Sequence, residues 1–190
     1  MKIILASKSE RRKLLLKKIG VPFIVTNSNL NEKSIKKSSE PNEYCEKLAT
    51  LKANLVAKKY PDDIIIGADT IVYLKNKILE KPLNFKSASK MLQSLSDKEH
   101  SVFTGISIIS FKNKINITFS EETKVKFLKI TEQQIKSYIT EYHPYDKSGS
   151  YGIQDGSCLF IDYIIGNYEN VMGLPLSKIN KILIDLKIIK

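Results

Sequence analysis

Tryptophan is absent from this chain, and cysteine, histidine and arginine occur only twice each. Cys45 and Cys158 have neither CxxC spacing nor a nearby histidine, which excludes a zinc site and a disulfide scaffold. Both read as buried small apolar residues. His100 and His143 carry no mark of a catalytic base, so the chemistry must rest on carboxylates, lysines or a metal. No apolar run approaches the roughly 18 residues of a membrane-spanning helix. The opening apolar run, Ile3 to Ala6, is followed at once by polar and charged residues, which is too short for a signal peptide, so the expected compartment is the cytoplasm and no membrane partner is expected. With 42% hydrophobic and 27% charged residues, the composition is that of a globular protein and not of a disordered, collagenous or membrane chain. Its 190 residues suffice for a single compact catalytic domain spanning 1–190.

What is abundant is lysine. It supplies 29 of the 31 basic residues and most of the net charge of +11. Such a charge permits a nucleic-acid-binding module, whose affinity would fall steeply with salt. The lysines, however, are scattered from Lys2 to Lys190 without a basic block, so no stable nucleic-acid partner is expected. The two arginines, Arg11 and Arg12, are adjacent, and a planar guanidinium makes bidentate contacts with phosphate or carboxylate that lysine cannot reproduce.

Hydropathy patterning alternates strands with helices. Residues 2–6 read as a buried strand, Ser9 to Ile19 as a helix with Leu14, Leu15 and Ile19 inward, and Phe23 to Val25 as a second strand. Asn27 to Ser39 is polar and reads as a mobile loop. From Pro41 to Tyr60 the spacing of Tyr44, Leu48, Leu51 and Leu55 predicts an amphipathic helix. Ile64 to Tyr73 is a strand pair or one long bent strand, Asn76-Lys77 a tight turn, and Ser87 to Leu95 a short helix. Ser101 to Phe111 and Lys114 to Leu128 suit a hairpin, Thr131 to Glu141 a capped helix with Ile135, Tyr138 and Ile139 inward, Cys158 to Ile165 a strand and Leu176 to Leu186 a closing helix. The class is α/β, with a mixed twisted sheet flanked by helices.

Three segments carry chemical possibilities. Ala6-Ser7-Lys8-Ser9-Glu10-Arg11-Arg12 lies where a strand gives way to a helix, and hydroxyls and arginines at a helix start can cradle phosphates. Equally, Ser9 can cap the helix while both arginines face water. Asp69 leaves a run of three isoleucines and a glycine, where ligands of open α/β sheets collect, and a carboxylate there can hold a cation or take a proton from water. The alternative is a turn aspartate bonded to its own backbone. Tyr145 to Gly156 holds three glycines in its last eight positions, a density that implies close backbone approach to a ligand or another segment. Lys81 is stiffened by Pro82. Asn170 to Pro175 reads as a structural turn into the last helix.

In this order the segments resemble the Maf family of nucleoside triphosphate pyrophosphatases over nearly the whole chain. The family's Leu-Ala-Ser-x-Ser-Pro-Arg-Arg is matched by Leu5 to Arg12, and its Gly-Ala-Asp-Thr-Val-Val by Gly67 to Val72. Lys81-Pro82, Thr104-Gly105, Lys147 to Gln154 and Asn170 to Pro175 follow in family order. The resemblance implies hydrolysis of a nucleoside triphosphate to monophosphate and pyrophosphate, a divalent cation (Mg or Mn), and a fold shared with the inosine triphosphate pyrophosphatases, two lobes around a cleft. It also implies dimers.

The roles implied are specific. Asp69 matches the proton acceptor, acting on water that attacks the α-phosphorus, or else a ligand of the metal together with Glu32. Lys52 and Lys81 match charged catalytic positions, with Ser7, Ser9, Arg12, Thr104 and Lys147 toward the substrate and Arg11, Thr70 and Gln154 toward the base. Arg12, Lys52 and Lys81 would neutralise charge on the leaving phosphates.

The subfamily acting on 7-methylguanosine triphosphate has glutamate in place of Gln154 and lacks the arginine matched by Arg11. This chain is therefore assigned dTTP and UTP, with modified pyrimidine nucleotides as extras. The alternatives are a house-cleaning enzyme for modified purine nucleotides and a nucleotide-sensing regulator of cell division. Glu10 and Asp155 depart from the family pattern, and Asp155 adds negative charge beside the expected base pocket. An amide at Gln154 offers the donor and acceptor that match the imide edge of uracil or thymine. Gln154→Glu should therefore lose dTTP and UTP turnover in a pyrophosphate-release assay, and an unchanged substrate preference would remove Gln154 from base selection.

Overall fold

The computed structural model describes residues 1–36, 38 and 40–189. Its seven-stranded sheet runs β2-β1-β3-β5-β6-β7, with β4 paired to β3. In chain order the elements are β1 (Ile3–Ala6), α1 (Glu10–Lys17), β2 (Phe23–Val25), α2 (Pro41–Ala57), β3 (Ile64–Leu74), β4 (Lys77–Leu79) and α3 (Phe85–Leu95). They continue with β5 (Glu99–Ser110), β6 (Ile115–Phe127), α4 (Glu132–Tyr142), β7 (Ile161–Ile165), α5 (Tyr168–Met172) and α6 (Leu176–Asp185). The sheet is mixed: β1 lies parallel to β2 and β3, whereas β4 on β3 and β7 on β6 are antiparallel. The chain divides into two compact units, one made of Met1–Asp69, Thr104–Glu121 and Gly173–Lys190, the other of Thr70–Phe103 and Glu122–Met172.

In the first unit β1 and the Ile64–Asp69 stretch of β3 are buried along their length, as strands covered on both faces require, whereas the edge strand β2 is half-buried to exposed. One face packs on α2, whose Ala53, Val56 and Ala57 meet Ile4, Ala6, Ile65 and Ile109. The stripe that α2 buries is only partly the expected one, since it keeps Tyr44 and Leu48 but then follows small residues. Cys45, Leu48, Ala49, Lys52, Ala53 and Val56 are buried, whereas Leu51 and Leu55 are half-exposed. Small residues face the sheet because the backbones come close. A Cβ on Gly67 would lie 2.3 Å from the Ala49 carbonyl oxygen, and one on Gly105 would lie 2.3 Å from the Cys45 carbonyl carbon. Neither strand position can carry a side chain without moving the helix.

Other departures from the expected pattern have similar causes. On α1, Ser9 caps the N-terminus, and Leu15 and Leu16 are buried while Leu14 is 61% exposed, so its inward side is rotated by one residue. The polar loop contains a turn of 3-10 helix at Glu32–Ser34, while Lys37 and Ser39 lie outside the described residues. Ile64 to Leu74 is one long strand. It turns into β4 through Lys75 and Asn76, both with positive φ, the geometry of a tight hairpin whose twist suits the strands. The last strand starts at Ile161, because Gly156–Phe160 forms 3-10 turns. Cys158, read as buried, is exposed; Cys45 is buried.

The second unit packs α3 and α4 over its strands, with Leu92, Leu95, Val125, Phe127, Ile135, Ile139, Tyr151 and Phe160 in one cluster. Reciprocal capping boxes start both helices, Asn84 with Ser87 and Thr131 with Gln134. His100 belongs to this core. It is 3% exposed, its Nε2 lies 2.8 Å from the Tyr151 hydroxyl, and its ring meets Phe127 edge to face. Burial opposes the imidazolium and pulls the His100 pKa down to about 4. The unfolded chain takes up this proton near pH 6.5. Stability from the neutral ring is thus complete above that pH and is lost as pH falls toward 4, about 3 kcal/mol over the interval. Urea unfolding at pH 7 and at pH 4 to 5 should reveal this loss, and His100→Gln should flatten that part of the profile.

Candidate active site

Pairing of β1 with β3 ends at Ala6 and Gly67, which sets Ser7 and the start of α1 beside Ala68 and Asp69 at the carboxyl end of β1. Side chains alternate along a strand, so Asp69 points to the same face as Ile65 and Gly67, the face covered by α2. Lys52 follows Ala49 by three residues on that helix and meets it there. Its Nζ lies 2.6 Å from Asp69 Oδ1 and 2.7 Å from Glu32 Oε1. The Lys52 and Asp69 side chains are each 9% exposed, whereas Glu32 is 38% exposed, so the cluster opens to solvent on the Glu32 side. Asp69 is thus a strand residue tied to a lysine, not a turn aspartate bonded to its own backbone.

Arg12 completes this group. Its Nε donates to the Gly173 carbonyl at 2.8 Å and one terminal nitrogen donates to Ser7 Oγ at 3.2 Å. Ser7 Oγ also accepts from the Ser9 backbone N–H, and Ser9 Oγ accepts from the Arg12 N–H as the helix cap. The capping reading of Ser9 therefore holds, while the solvent-facing reading fails for Arg12. Desolvation lowers the Arg12 pKa, and the charges of Asp69 and Glu32 oppose that fall. Burial, followed by the negative charge of Asp69, pushes the Cys45 thiol up, so Cys45 stays protonated. Arg11 is half-buried on the same helix, and Thr104 is fully buried in β5.

The other expected residues lie in the second unit. Thr70 is half-buried on β3, and its carbonyl accepts from Ser148 Oγ at 2.9 Å. Gly149 donates its N–H to the Glu80 carbonyl, and a Cβ there would meet the Val72 side chain at 2.8 Å. These bonds lay the segment after Lys147 on the backbone that carries Thr70 and on the residue before Lys81. Lys81 and Gln154 are exposed, and the Lys147 side chain is 13% exposed with its Nζ 2.9 Å from Asp146 Oδ1. Asp155 does not point into open space as a bare negative charge: Oδ1 accepts from the Tyr138 hydroxyl at 2.9 Å and from the Ser157 N–H at 3.1 Å.

Residues missed by sequence reasoning act through the backbone. Asn170 to Pro175 reads in the sequence as structure alone, yet its Gly173 carbonyl fixes Arg12. The glycine within that motif is the available signal. Among the described residues no group of three or more His, Cys, Asp or Glu side chains could hold a metal ion. Asp69 and Glu32 supply two hard carboxylates converging on one ammonium. That donor set fits a magnesium-like cation that keeps waters and takes phosphate oxygens, and it does not fit a closed nitrogen or sulfur site.

The fold as a whole is similar to that of a HAM1 protein from Coxiella burnetii, with a TM-score of 0.56 over 97% of this chain and 99% of that one, at 13% identity. The "Maf-like protein" family profile matches residues 2–186, and the chain belongs to that family. It is 47% identical over 178 residues to the dTTP/UTP pyrophosphatase of Bacillus cereus strain ATCC 10987, covering 94% of this chain and 86% of the relative. Identity to the Bacillus anthracis dTTP/UTP pyrophosphatase is also 47%, over 94% of this chain and 92% of that protein. No helix among the described residues is long and apolar enough to cross a membrane.

The arrangement of the first-unit cluster makes Lys52 its keystone. Without that ammonium, the buried Asp69 carboxylate would lose its partner and face the charge of Glu32. Lys52→Met should therefore lower unfolding free energy by about 3 kcal/mol, read as a lower urea midpoint at unchanged slope. An unshifted midpoint would show that solvent already screens the pair.

Proposed function

We propose that this chain hydrolyses the α–β phosphoanhydride of nucleoside triphosphates, with dTTP and UTP as substrates and modified pyrimidine nucleotides as further ones. The observation that carries this reading is the buried Lys52–Asp69 pair with Arg12 and Glu32 around it. Two relatives that are 47% identical bear the name dTTP/UTP pyrophosphatase, which supports the choice of substrate. In the reaction, water oxygen bonds to the α-phosphorus as the bond to the bridging oxygen breaks, and pyrophosphate leaves with the bond's electrons.

Asp69 accepts the proton lost by water. Lys52, in contact with that carboxylate, fixes its direction, and Arg12, anchored by the Gly173 carbonyl, brings a guanidinium charge to the phosphate oxygens. Ser7 and Ser9 shape the turn that presents Arg12; within the first unit the family resemblance gives Thr104 to the phosphate chain and Arg11 to the base, and within the second unit it gives Lys81 and Lys147 to phosphates and Thr70 and Gln154 to the base. Glu32 would hold Mg2+ or Mn2+, joined by Asp69 in the alternative in which the metal acidifies the water, and the cation when bound would spread the charge gathering on the leaving phosphates. The reaction suits a cytoplasmic enzyme acting alone or as a homodimer.

Pyrophosphate release measured over common and modified nucleoside triphosphates, with and without Mg2+, tests this function. dTTP and UTP should be turned over fastest. Asp69→Asn should lower turnover at least about a hundredfold with the fold intact. Near wild-type turnover in folded Asp69→Asn would remove Asp69 from the mechanism.

A further inference from the structure

Asp155 follows Gln154 directly and sits in a closed set of polar contacts within the second unit. Its Oδ1 accepts from the Tyr138 hydroxyl and the Ser157 N–H, and its Oδ2 lies 4.0 Å from Lys147 Nζ. Tyr138 Oη in turn accepts from the Gly152 N–H at 3.2 Å, and Ser157 Oγ donates to the Gly152 carbonyl at 2.7 Å. The Asp155 N–H closes the turn on that same carbonyl at 3.0 Å. A Cβ on Gly152 would lie 2.7 Å from Asp155 Oδ2 and 2.9 Å from Lys147 Cε. The carboxylate and the lysine stem therefore converge over the bare Cα of Gly152.

We infer that Asp155 is a positioning residue: through Tyr138, Ser157 and Lys147 it locks the Gly152–Asp155 turn, and so sets the direction of Gln154 and of the Lys147 ammonium. This inference rests on the proposed pyrophosphatase reading for its functional consequence, but the lock itself is independent of any substrate. The negative charge beside Gln154 is spent on protein partners instead of facing a base. Tyr138 is suited to bridge, because a phenol gives one hydrogen and accepts another, and its burial beside Asp155 keeps it protonated. Its ring is held independently by stacking on Tyr142 at 5.1 Å.

Two readouts test the lock separately. Amide hydrogen exchange at Gly152 should quicken about tenfold in both Asp155→Ala and Tyr138→Phe, with β3 and β5 amides unchanged. Relative to wild type, Asp155→Ala and Tyr138→Phe should then show KM for dTTP and UTP raised about tenfold with kcat within about threefold, the signature of lost substrate positioning. Asp155→Asn keeps an oxygen for Tyr138 and Ser157 but loses the charge facing Lys147, so it should restore slow Gly152 exchange and recover only part of the KM. Unchanged Gly152 exchange in both Asp155→Ala and Tyr138→Phe overturns the lock. Quickened exchange with unaltered KM on a substrate that the wild type turns over overturns the positioning role. Absence of dTTP and UTP turnover in the wild type would overturn the functional reading instead, leaving the exchange data to decide the lock.

Discussion

The near-contact of the α2 backbone with the sheet at Gly67 and Gly105 constrains more of this molecule than any single bond. Two glycines let a helix lie against two strands without intervening side chains, and the helix answers with Cys45, Ala49 and Ala53. That close approach also brings the end of the Lys52 side chain onto the strand carboxylate of Asp69, at 2.6 Å, while its stem remains buried. The packing sets the charge geometry, and the charge geometry sets what chemistry the site can perform.

Burying ionised groups is unfavourable unless each finds an opposite partner. The first unit meets this requirement by alternating sign: Arg12, Asp69, Lys52 and Glu32 sum to no net charge. The arrangement places the least exposed charges on strand and helix, whose backbones are rigid, and leaves the more exposed Glu32 on a turn of 3-10 helix. A polyanionic ligand entering such a cluster would exchange one set of opposite charges for another, instead of meeting a bare positive surface. That distinguishes the cluster from the scattered lysines that dominate the net charge.

Most of the fold was legible in the sequence because it rests on local signals: the caps at Ser9 and Thr131 and the isoleucine run of β3. On α2 the spacing of apolar residues marks the buried Tyr44 and Leu48 but not the rest of the face, because close approach selects alanines over Leu51 and Leu55. The strand from Cys158 began late because composition cannot separate a short apolar 3-10 turn from an extended segment. Within the site, residue types revealed Asp69 and Arg12, and resemblance supplied the roles. Neither could reveal that the Gly173 carbonyl anchors Arg12 or that Asp155 is engaged by Tyr138, since both depend on contacts distant in sequence.

The two cysteines have opposite fates. Cys45 is sealed beneath α2 with its thiol held protonated, whereas Cys158 stands exposed, its backbone N–H bonded to the Asp155 carbonyl at 3.0 Å. Thiol chemistry on the native protein is consequently confined to a single address, three residues from the end of the Gly152–Asp155 turn. A spectroscopic tag attached there would report on the segment that bears Gln154 without any residue having been engineered to receive it.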